Sequence, residues 1–124
     1  RGLHYQLEKP QGKLVQVLSG SINDVAIDIR VGSPNFGKSM VVYLDSRLHN
    51  MVYIPEGFAH GYIALEDNTI VQYKCTNYYD PASEYGILWN DKDLNIDWGI
   101  SNPILSNKDS KHPKLKDQKY LPAF

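Results

Sequence analysis

The sequence has 124 residues, the length of one domain that can bury most of its apolar surface without disulfides or a metal. Its 13 basic residues are balanced by 14 acidic ones, which excludes the strong basic field expected of a protein that binds nucleic acid or anionic membranes. The single cysteine, Cys75, excludes an internal disulfide framework and favours a reducing cytoplasm. No apolar run approaches the roughly 20 residues of a membrane helix.

Apolar and polar residues alternate along the chain with the two-residue period of half-buried strands, and helical spacing is nowhere sustained. The first clear pair of strands, 13–18 and 22–30, flanks Ser19-Gly20-Ser21 and is predicted to form a hairpin. In the second of these strands, Val25, Ile27 and Ile29 share one face. Turns rich in Gly, Pro and Asn separate the remaining predicted strands, at 40–44, 51–54, 62–65, 69–78 and 87–89.

Seven or eight short strands punctuated by Gly and Pro predict an all-β fold, a sandwich or a jelly-roll (cupin-like) barrel with its pocket at the barrel mouth. From residue 90 onward, scattered apolar residues among charges indicate a short C-terminal helical or coil segment packed on the barrel. Trp89 and Trp98 are predicted core residues. A single domain over residues 1–124 is expected.

Four histidines raise the question of a metal site, because imidazole is a common metal ligand. The spacing argues against one, since no H-x-H, H-E-x-x-H or C-x-x-C pattern occurs. His49 and His112 lie in polar, turn-like or tail sequence and are predicted to be exposed structural residues.

His4 lies in a strand-like run on the face that it shares with Gln6, where a lone histidine is more often structural than catalytic. Lys13, Tyr73 and Asp109 could supply the other parts of a proton-transfer site. These parts are a cation for a developing oxyanion, a phenol as acid and a carboxylate to orient the imidazole.

His60 lies between glycines that would allow a ligand to approach the backbone, and a histidine that caps a β-turn is an equally good interpretation. Tyr73 and Tyr79 have the same parity. In an unbroken strand they would lie on one face roughly 20 Å apart, at about 3.3 Å per residue, which would suit a long ligand.

Five ordered motifs resemble the dTDP-4-dehydrorhamnose 3,5-epimerase family nearly end to end: Arg1-Gly2-Leu3-His4 with Gln11-Gly12-Lys13-Leu14-Val15, Asp24 to Arg30, Ile54 to Gly61, Gly86 to Asp91, and Ser106-Asn107-Lys108-Asp109. The resemblance implies a jelly roll that acts on a dTDP-linked 4-keto-6-deoxyhexose. It implies inversion at C3 and C5, without metal or nicotinamide, in dTDP-rhamnose or related deoxysugar biosynthesis.

The resemblance also implies roles for individual residues. His4 would be the base, Asp109 would hold its imidazole, Lys13 would stabilise the enolate oxygen at C4, and Tyr73 would return a proton from the opposite face. Tyr79 would stack on the thymine ring. The other implied substrate-binding residues are Arg1, Gln6, His60, Glu84 and Lys108.

The resemblance implies a homodimer, and a barrel that starts at Arg1 leaves an edge strand that needs a partner. The family's N-terminal segment, which exchanges strands between subunits, is expected to be missing from this chain. Three alternatives stay open: an epimerase that acts at C3 or C5 alone, a metal-dependent cupin enzyme, and a non-catalytic module that binds the sugar nucleotide.

Overall fold

A computed structural model describes residues 1–124 as a protein built mainly from β-strands. The elements are β1 (His4–Gln6), β2 (Lys13–Ser19), β3 (Ser21–Asp28), β4 (Ser39–Asp45), β5 (Met51–Ile54), β6 (Phe58–Ala64), β7 (Ile70–Cys75), β8 (Glu84–Gly86) and α1 (Asn107–Ser110), with 3₁₀ turns at Pro81–Ser83 and Leu115–Asp117. No helix has both the length and the apolar character that a membrane crossing requires.

The strands form two antiparallel sheets, a five-stranded sheet in the order β4-β3-β6-β1-β8 and a three-stranded sheet in the order β5-β2-β7. The prediction of a mostly-β jelly-roll fold is confirmed. The two sheets do not join into a closed barrel.

The predicted hairpin of 13–18 with 22–30 is wrong. β2 pairs with β5 and β7, whereas β3 pairs with β4 and β6. Gly20, with a φ of 79°, lies at the point where the chain passes from one sheet to the other. The two strands therefore bury apolar side chains against each other, Val15 and Val17 against Ile22 and Ala26, and do not share a hydrogen-bond ladder.

Several strand ends differ from those predicted. The last predicted strand, 87–89, lies earlier, at Glu84–Gly86, and the predicted strand 69–78 ends at Cys75. Just beyond that end, the N–H of Thr76 still donates to the carbonyl of Gly12 at 3.0 Å. The next two carbonyls accept from side chains: Gln11 donates to that of Asn77 at 2.9 Å, and Gln6 donates to that of Tyr78 at 3.1 Å. Tyr73 and Tyr79 therefore do not lie on one unbroken strand, and the roughly 20 Å span expected for that case does not apply.

Apolar side chains form two clusters, one on each side of the five-stranded sheet. The cluster between the sheets contains Val15, Val17, Ile22, Ala26, Leu44 and Ile54. The cluster on the outer face contains Val25, Ile27 and Ile29, as the alternation predicts, and the C-terminal segment covers it with Trp98 and Leu115. Trp98 donates its indole N–H to the carbonyl of Trp89 at 2.8 Å, and Trp89 packs at the edge of this cluster.

Candidate active site

Two histidines lie directly opposite each other on neighbouring strands. His4 on β1 and His60 on β6 are Cα partners in the antiparallel ladder, so their side chains lie on the same face of the five-stranded sheet. Both line a cavity of about 600 Å³, which Lys13 on β2 and Tyr73 on β7 line from the three-stranded sheet. The cavity therefore lies between the two sheets. The other predicted site residues on its lining are Arg1, Gln6, Tyr79 and Glu84.

The imidazole of His4 is paired with a buried carboxylate. Its Nε2 lies 2.6 Å from Oδ1 of Asp109. Asp109 is held in place by two backbone contacts: its own N–H donates to Oγ of Ser106 at 3.1 Å, and its Oδ2 accepts from the N–H of Gly2 at 3.1 Å. Through these contacts, Ser106 and Gly2 hold Asp109 beside the imidazole, although α1 lies far from β1 in sequence.

The protonation of this pair follows from its surroundings. Burial by itself would raise the pKa of Asp109, but the hydrogen bonds from Gly2 and His4 bring it below its ordinary value. The carboxylate is therefore ionised near neutral pH and can only accept, so Nε2 of His4 carries the proton and Nδ1 has the free lone pair. Burial lowers the pKa of His4, against the opposing effect of Asp109. His4 is thus a neutral base near pH 7.

Lys13 contributes a cation that no carboxylate neutralises directly. It begins β2 opposite Ile54 and Cys75, and burial lowers the pKa of its ammonium. None of the ion pairs in the structure involves it. The ammonium is free to stabilise negative charge that develops in the cavity.

Tyr73 approaches the cavity from the sheet opposite His4. It pairs with Val15 across the β2–β7 ladder, and 40% of its surface is exposed. The phenol and the imidazole therefore reach one cavity from different sheets. This arrangement can place an acid and a base on opposite faces of a bound molecule.

A second cavity of about 400 Å³ adjoins the first and extends it past Glu84 to Lys108 and Asp109. Lys108 and Glu84 form an ion pair, which raises the pKa of Lys108 and, against the effect of burial, lowers that of Glu84. Arg1 and Tyr79 line both cavities. Gly2, with a φ of 113°, departs from strand geometry between Arg1 and His4, which lets both side chains reach the same space.

Gln6 uses its side-chain amide within the protein. It donates to the carbonyls of Lys9 at 2.9 Å and Tyr78 at 3.1 Å, and it accepts from the N–H of Asp80 at 3.0 Å. These contacts hold the segment that carries Tyr79 against β1. Gln6 lines the cavity, but its polar atoms already have partners there.

His60 has a partner that the sequence did not single out. Its Nε2 lies 2.7 Å from Oδ2 of Asp24, and both residues are buried. His60 lies inside β6, so the interpretation of a histidine capping a β-turn is wrong. An aspartate inside the apolar strand β3 was the available sequence signal, because a buried carboxylate needs a partner.

His112 is not exposed, and the prediction that it would be is wrong. Only 12% of its side chain is accessible, and a Cβ at position 86 would overlap its imidazole, so the ring lies directly on Gly86. Its Nε2 lies 3.5 Å from Oδ1 of Asp109, and its ring meets that of His4 edge-on at 5.5 Å between centroids. His49 is exposed, as predicted.

The comparisons with known proteins identify the family of the chain. The family model described as dTDP-4-dehydrorhamnose 3,5-epimerase matches residues 1–117. The dTDP-4-dehydrorhamnose 3,5-epimerase of Shigella flexneri is 50% identical over 122 residues, which cover 98% of this chain and 67% of that protein. The enzyme of the same name from Methanothermobacter thermautotrophicus is 48% identical over 120 residues, or 94% of this chain and 65% of that protein.

A solved structure gives the same result. The crystal structure of dTDP-6-deoxy-D-glucose-3,5-epimerase from Legionella pneumophila, in complex with dTDP-4-keto-L-rhamnose, superimposes with a TM-score of 0.95 at 45% identity. The match covers 100% of this chain and 68% of that one.

Fold and sequence together define a jelly-roll protein related to carbohydrate epimerases. The chain belongs to the dTDP-4-dehydrorhamnose 3,5-epimerase family, as the motifs predicted. It spans about two thirds of the length of the two curated relatives named above.

Proposed function

We propose that the protein is a cofactor-free epimerase of a dTDP-linked 4-keto-6-deoxyhexose, inverting C3 and C5 in dTDP-rhamnose or related deoxysugar biosynthesis. One observation carries the proposal: His4, paired with Asp109, and Tyr73 line one cavity from two different sheets. The names and the bound sugar nucleotide of the relatives supply the substrate class.

The first step is removal of a proton next to the C4 ketone. Nδ1 of His4 takes the proton, and the resulting imidazolium is stabilised by Asp109. A free imidazole is far too weak a base for an unactivated C–H, so the enolate must be stabilised as it forms. The ammonium of Lys13 serves this purpose at the C4 oxygen. Since the substrate already contains the carbonyl, the reaction requires no cofactor.

The second step returns a proton to the other face of the sugar. Tyr73 donates it from the three-stranded sheet, and inversion follows because removal and return occur on different faces. Two such cycles, one at C3 and one at C5, use the same groups. Between the cycles the imidazolium of His4 releases its proton to water and the phenolate of Tyr73 takes one up, so both groups return to their starting states.

The remaining site residues are proposed to bind the substrate. Tyr79 stacks on the thymine ring, and Arg1 and Lys108 contribute the positive charge that the diphosphate requires. Glu84 and His60 contact the sugar portion. Gln6 keeps the segment of Tyr79 in position through its hydrogen bonds to the backbone.

The Tyr73→Phe variant tests the division of roles. Abstraction by His4 should continue, so substrate protons at C3 and C5 should exchange with deuterated water, but little inverted product should form. Proton NMR in deuterated buffer measures exchange and inversion in one experiment. The matched control is Tyr53→Phe, because Tyr53 is 55% exposed and does not line the cavity; it should keep both processes.

Other outcomes of this experiment would contradict specific parts of the proposal. If exchange and inversion fall equally in Tyr73→Phe, the tyrosine positions the substrate and does not deliver the proton. Exchange at only one carbon in the wild-type protein would identify a single-centre epimerase. Tight binding of the sugar nucleotide with no exchange at all would identify a binding module.

We also propose that the protein works as a homodimer in the cytoplasm. Exposed apolar side chains on β4, β5 and β7 support the dimer. A nucleotide-linked substrate and a single cysteine support the cytoplasm.

A further inference from the structure

His4, Asp109 and His112 form a cluster whose possible ligand atoms all lie within 4.8 Å of one another. Oδ1 of Asp109 lies 2.6 Å from Nε2 of His4 and 3.5 Å from Nε2 of His112. Ligand atoms at about 2.0–2.2 Å from one zinc ion lie roughly 3–4 Å from each other. Small side-chain movements would therefore bring all three atoms into one coordination sphere.

Nε2 of His112 has no hydrogen-bond partner within the protein. This atom is buried, and Gly86 leaves just enough room for the ring. A buried polar atom of this kind costs free energy unless something binds it. The polar groups that face it are Asp109 and His4, which are both good ligands for a transition metal.

The neighbouring contacts orient the carboxylate as a metal site requires. Gly2 donates to Oδ2 of Asp109, which leaves Oδ1 directed at the two imidazoles. Ser106 fixes the backbone of Asp109 at the start of α1. Contacts of this type hold a ligand in position and strengthen metal binding.

From this geometry we propose that His4, Asp109 and His112 bind a divalent transition-metal ion such as Zn²⁺, and that the ion reversibly inhibits the enzyme. Two imidazoles and one carboxylate suit zinc and disfavour Mg²⁺ and Ca²⁺, which prefer oxygen ligands. The site is distinct from a catalytic metal centre, because the ion would bind the base itself.

The inhibition follows from the chemistry of imidazole. In the pair with Asp109, the one proton of neutral His4 is on Nε2 and the lone pair is on Nδ1. An ion on Nε2 takes the lone pair there, so the proton moves to Nδ1 and the base can no longer accept one. The ion lies beside the substrate cavity, so it should lower kcat and leave KM nearly unchanged.

Binding is tested first, by titrating Zn²⁺ against a chromophoric chelator in the chelator-treated protein. The Cys75→Ser background keeps the thiol from contributing. One ion per chain is expected, with affinity weakened about 10- to 100-fold or more in His112→Asn. Asparagine is too short to reach the position of Nε2. The matched control His49→Asn, at an exposed histidine, should bind like wild type.

A second variant provides an independent test if His112→Asn does not fold. Gly86→Ala would displace the ring of His112 without removing an imidazole, and it should weaken Zn²⁺ binding in the same way. Equal affinity in wild type and His112→Asn, or no binding at micromolar Zn²⁺, would overturn the proposal.

The inhibition is tested by measuring turnover with and without added Zn²⁺. This test rests on the proposed function. The chelator-treated protein should be fully active, added Zn²⁺ should lower kcat, and His112→Asn should keep its turnover in the same Zn²⁺ concentration. If His112→Asn is inhibited as strongly as wild type, the inhibitory site is wrong. If no form of the protein turns over, the proposed function fails, whereas the binding result stands by itself.

Discussion

The basicity of His4 depends on two opposing effects. Burial lowers its pKa and the carboxylate of Asp109 raises it, with burial the larger effect. The proposed mechanism requires neutral His4, so the rate should fall as the pH falls through a pKa below the ordinary imidazole value of about 6.5. Because this acidic limb of the pH–rate profile lies below neutral pH, His4 is still unprotonated at Nδ1 at neutral pH and can accept a proton.

Asp109→Asn should lower kcat/KM on the order of 10²–10⁴-fold, the range of general acid–base catalysis. The amide can donate to Nε2, which moves the ring proton to Nδ1, where the lone pair is needed. The acidic limb should also move to lower pH, because the interactions that raise the pKa of His4 are lost. A pH profile of kcat/KM measures both effects, with the exposed Asp93→Asn as control; an unchanged profile would contradict the paired role.

At the scale of the element, one short helix carries a large share of the site. α1 has four residues, and its start is capped by Oγ of Ser106, which accepts the N–H of Asp109 at 3.1 Å. A helix this short is not stable by itself, so caps and packing must define its position.

Ser106→Ala should therefore reduce activity more than stability. Loss of an N-cap costs about 1 kcal/mol, and the loosened helix would misplace Asp109 relative to His4. We expect a large fall in kcat and a loss of no more than about 1 M from the urea midpoint, the shift that 1 kcal/mol gives at an m value of about 1–3 kcal/mol/M. Ser110→Ala is the matched control, since Ser110 lies in the same helix and its hydroxyl bonds only to the carbonyl of Asn107. Equal effects of both variants would exclude a specific role for the cap.

The end of β3 depends on an ionised carboxylate. Asp28 is buried and accepts from the backbone and side chain of Arg30 and from Oγ of Ser33. The hydrogen bonds from the Arg30 side chain, which outweigh burial, lower the pKa of Asp28 to about 2. Its contribution to stability is therefore present above its unfolded value of about 4 and is lost as the pH falls through about 2.

Asp28→Asn should lower the free energy of unfolding at pH 7 by roughly 2 kcal/mol, the order expected for hydrogen bonds to a charged group. The difference from wild type should shrink toward pH 2, where the carboxyl is protonated in the unfolded protein and about half protonated in the folded one. Urea denaturation at the two pH values measures this change. A difference that stays constant with pH would show that the charge of Asp28 does not matter.

At the scale of the whole molecule, the two sheets leave four strand edges, on β4, β8, β5 and β7. Apolar side chains on three of these strands are about half exposed, among them Met40, Met51 and Ile70, each at 54–55%. Unpaired edges and exposed apolar surface both favour association.

The full-length protein should therefore have twice the mass of its chain by light scattering across the micromolar range. The measurement should be paired with activity, because a dimer that forms only at high concentration would dissociate under assay conditions. A fully active monomer would contradict the proposed dimer.

The sequence predicted the strands better than their pairing. Alternation is a local property, so the apolar face of Val25, Ile27 and Ile29 and the core position of Trp98 could be read directly. The partner of each strand depends on contacts between distant residues. The turn at Gly20 therefore looked like a hairpin, although it carries the chain from one sheet to the other.

For the candidate site, too, the sequence predicted the individual residues better than their contacts. Motifs alone pointed to the family and singled out His4, Lys13 and Asp109, because each motif keeps its chemistry at fixed local spacing, and the resemblance to the family added Tyr73. That Asp109 reaches His4, 105 positions away, is a property of the folded chain.

Only the tertiary structure revealed Asp24 behind His60 and His112 beside the pair of His4 and Asp109. His112 lacks a local signal, since a histidine in a polar tail is ordinary in sequence, whereas Asp24 inside an apolar strand signals a buried carboxylate but not which residue is its partner. Their significance comes from burial and from neighbours brought together by packing. The sequence determined which chemical groups are available, and the fold decided which of them meet, because distance and desolvation are properties of the packed chain.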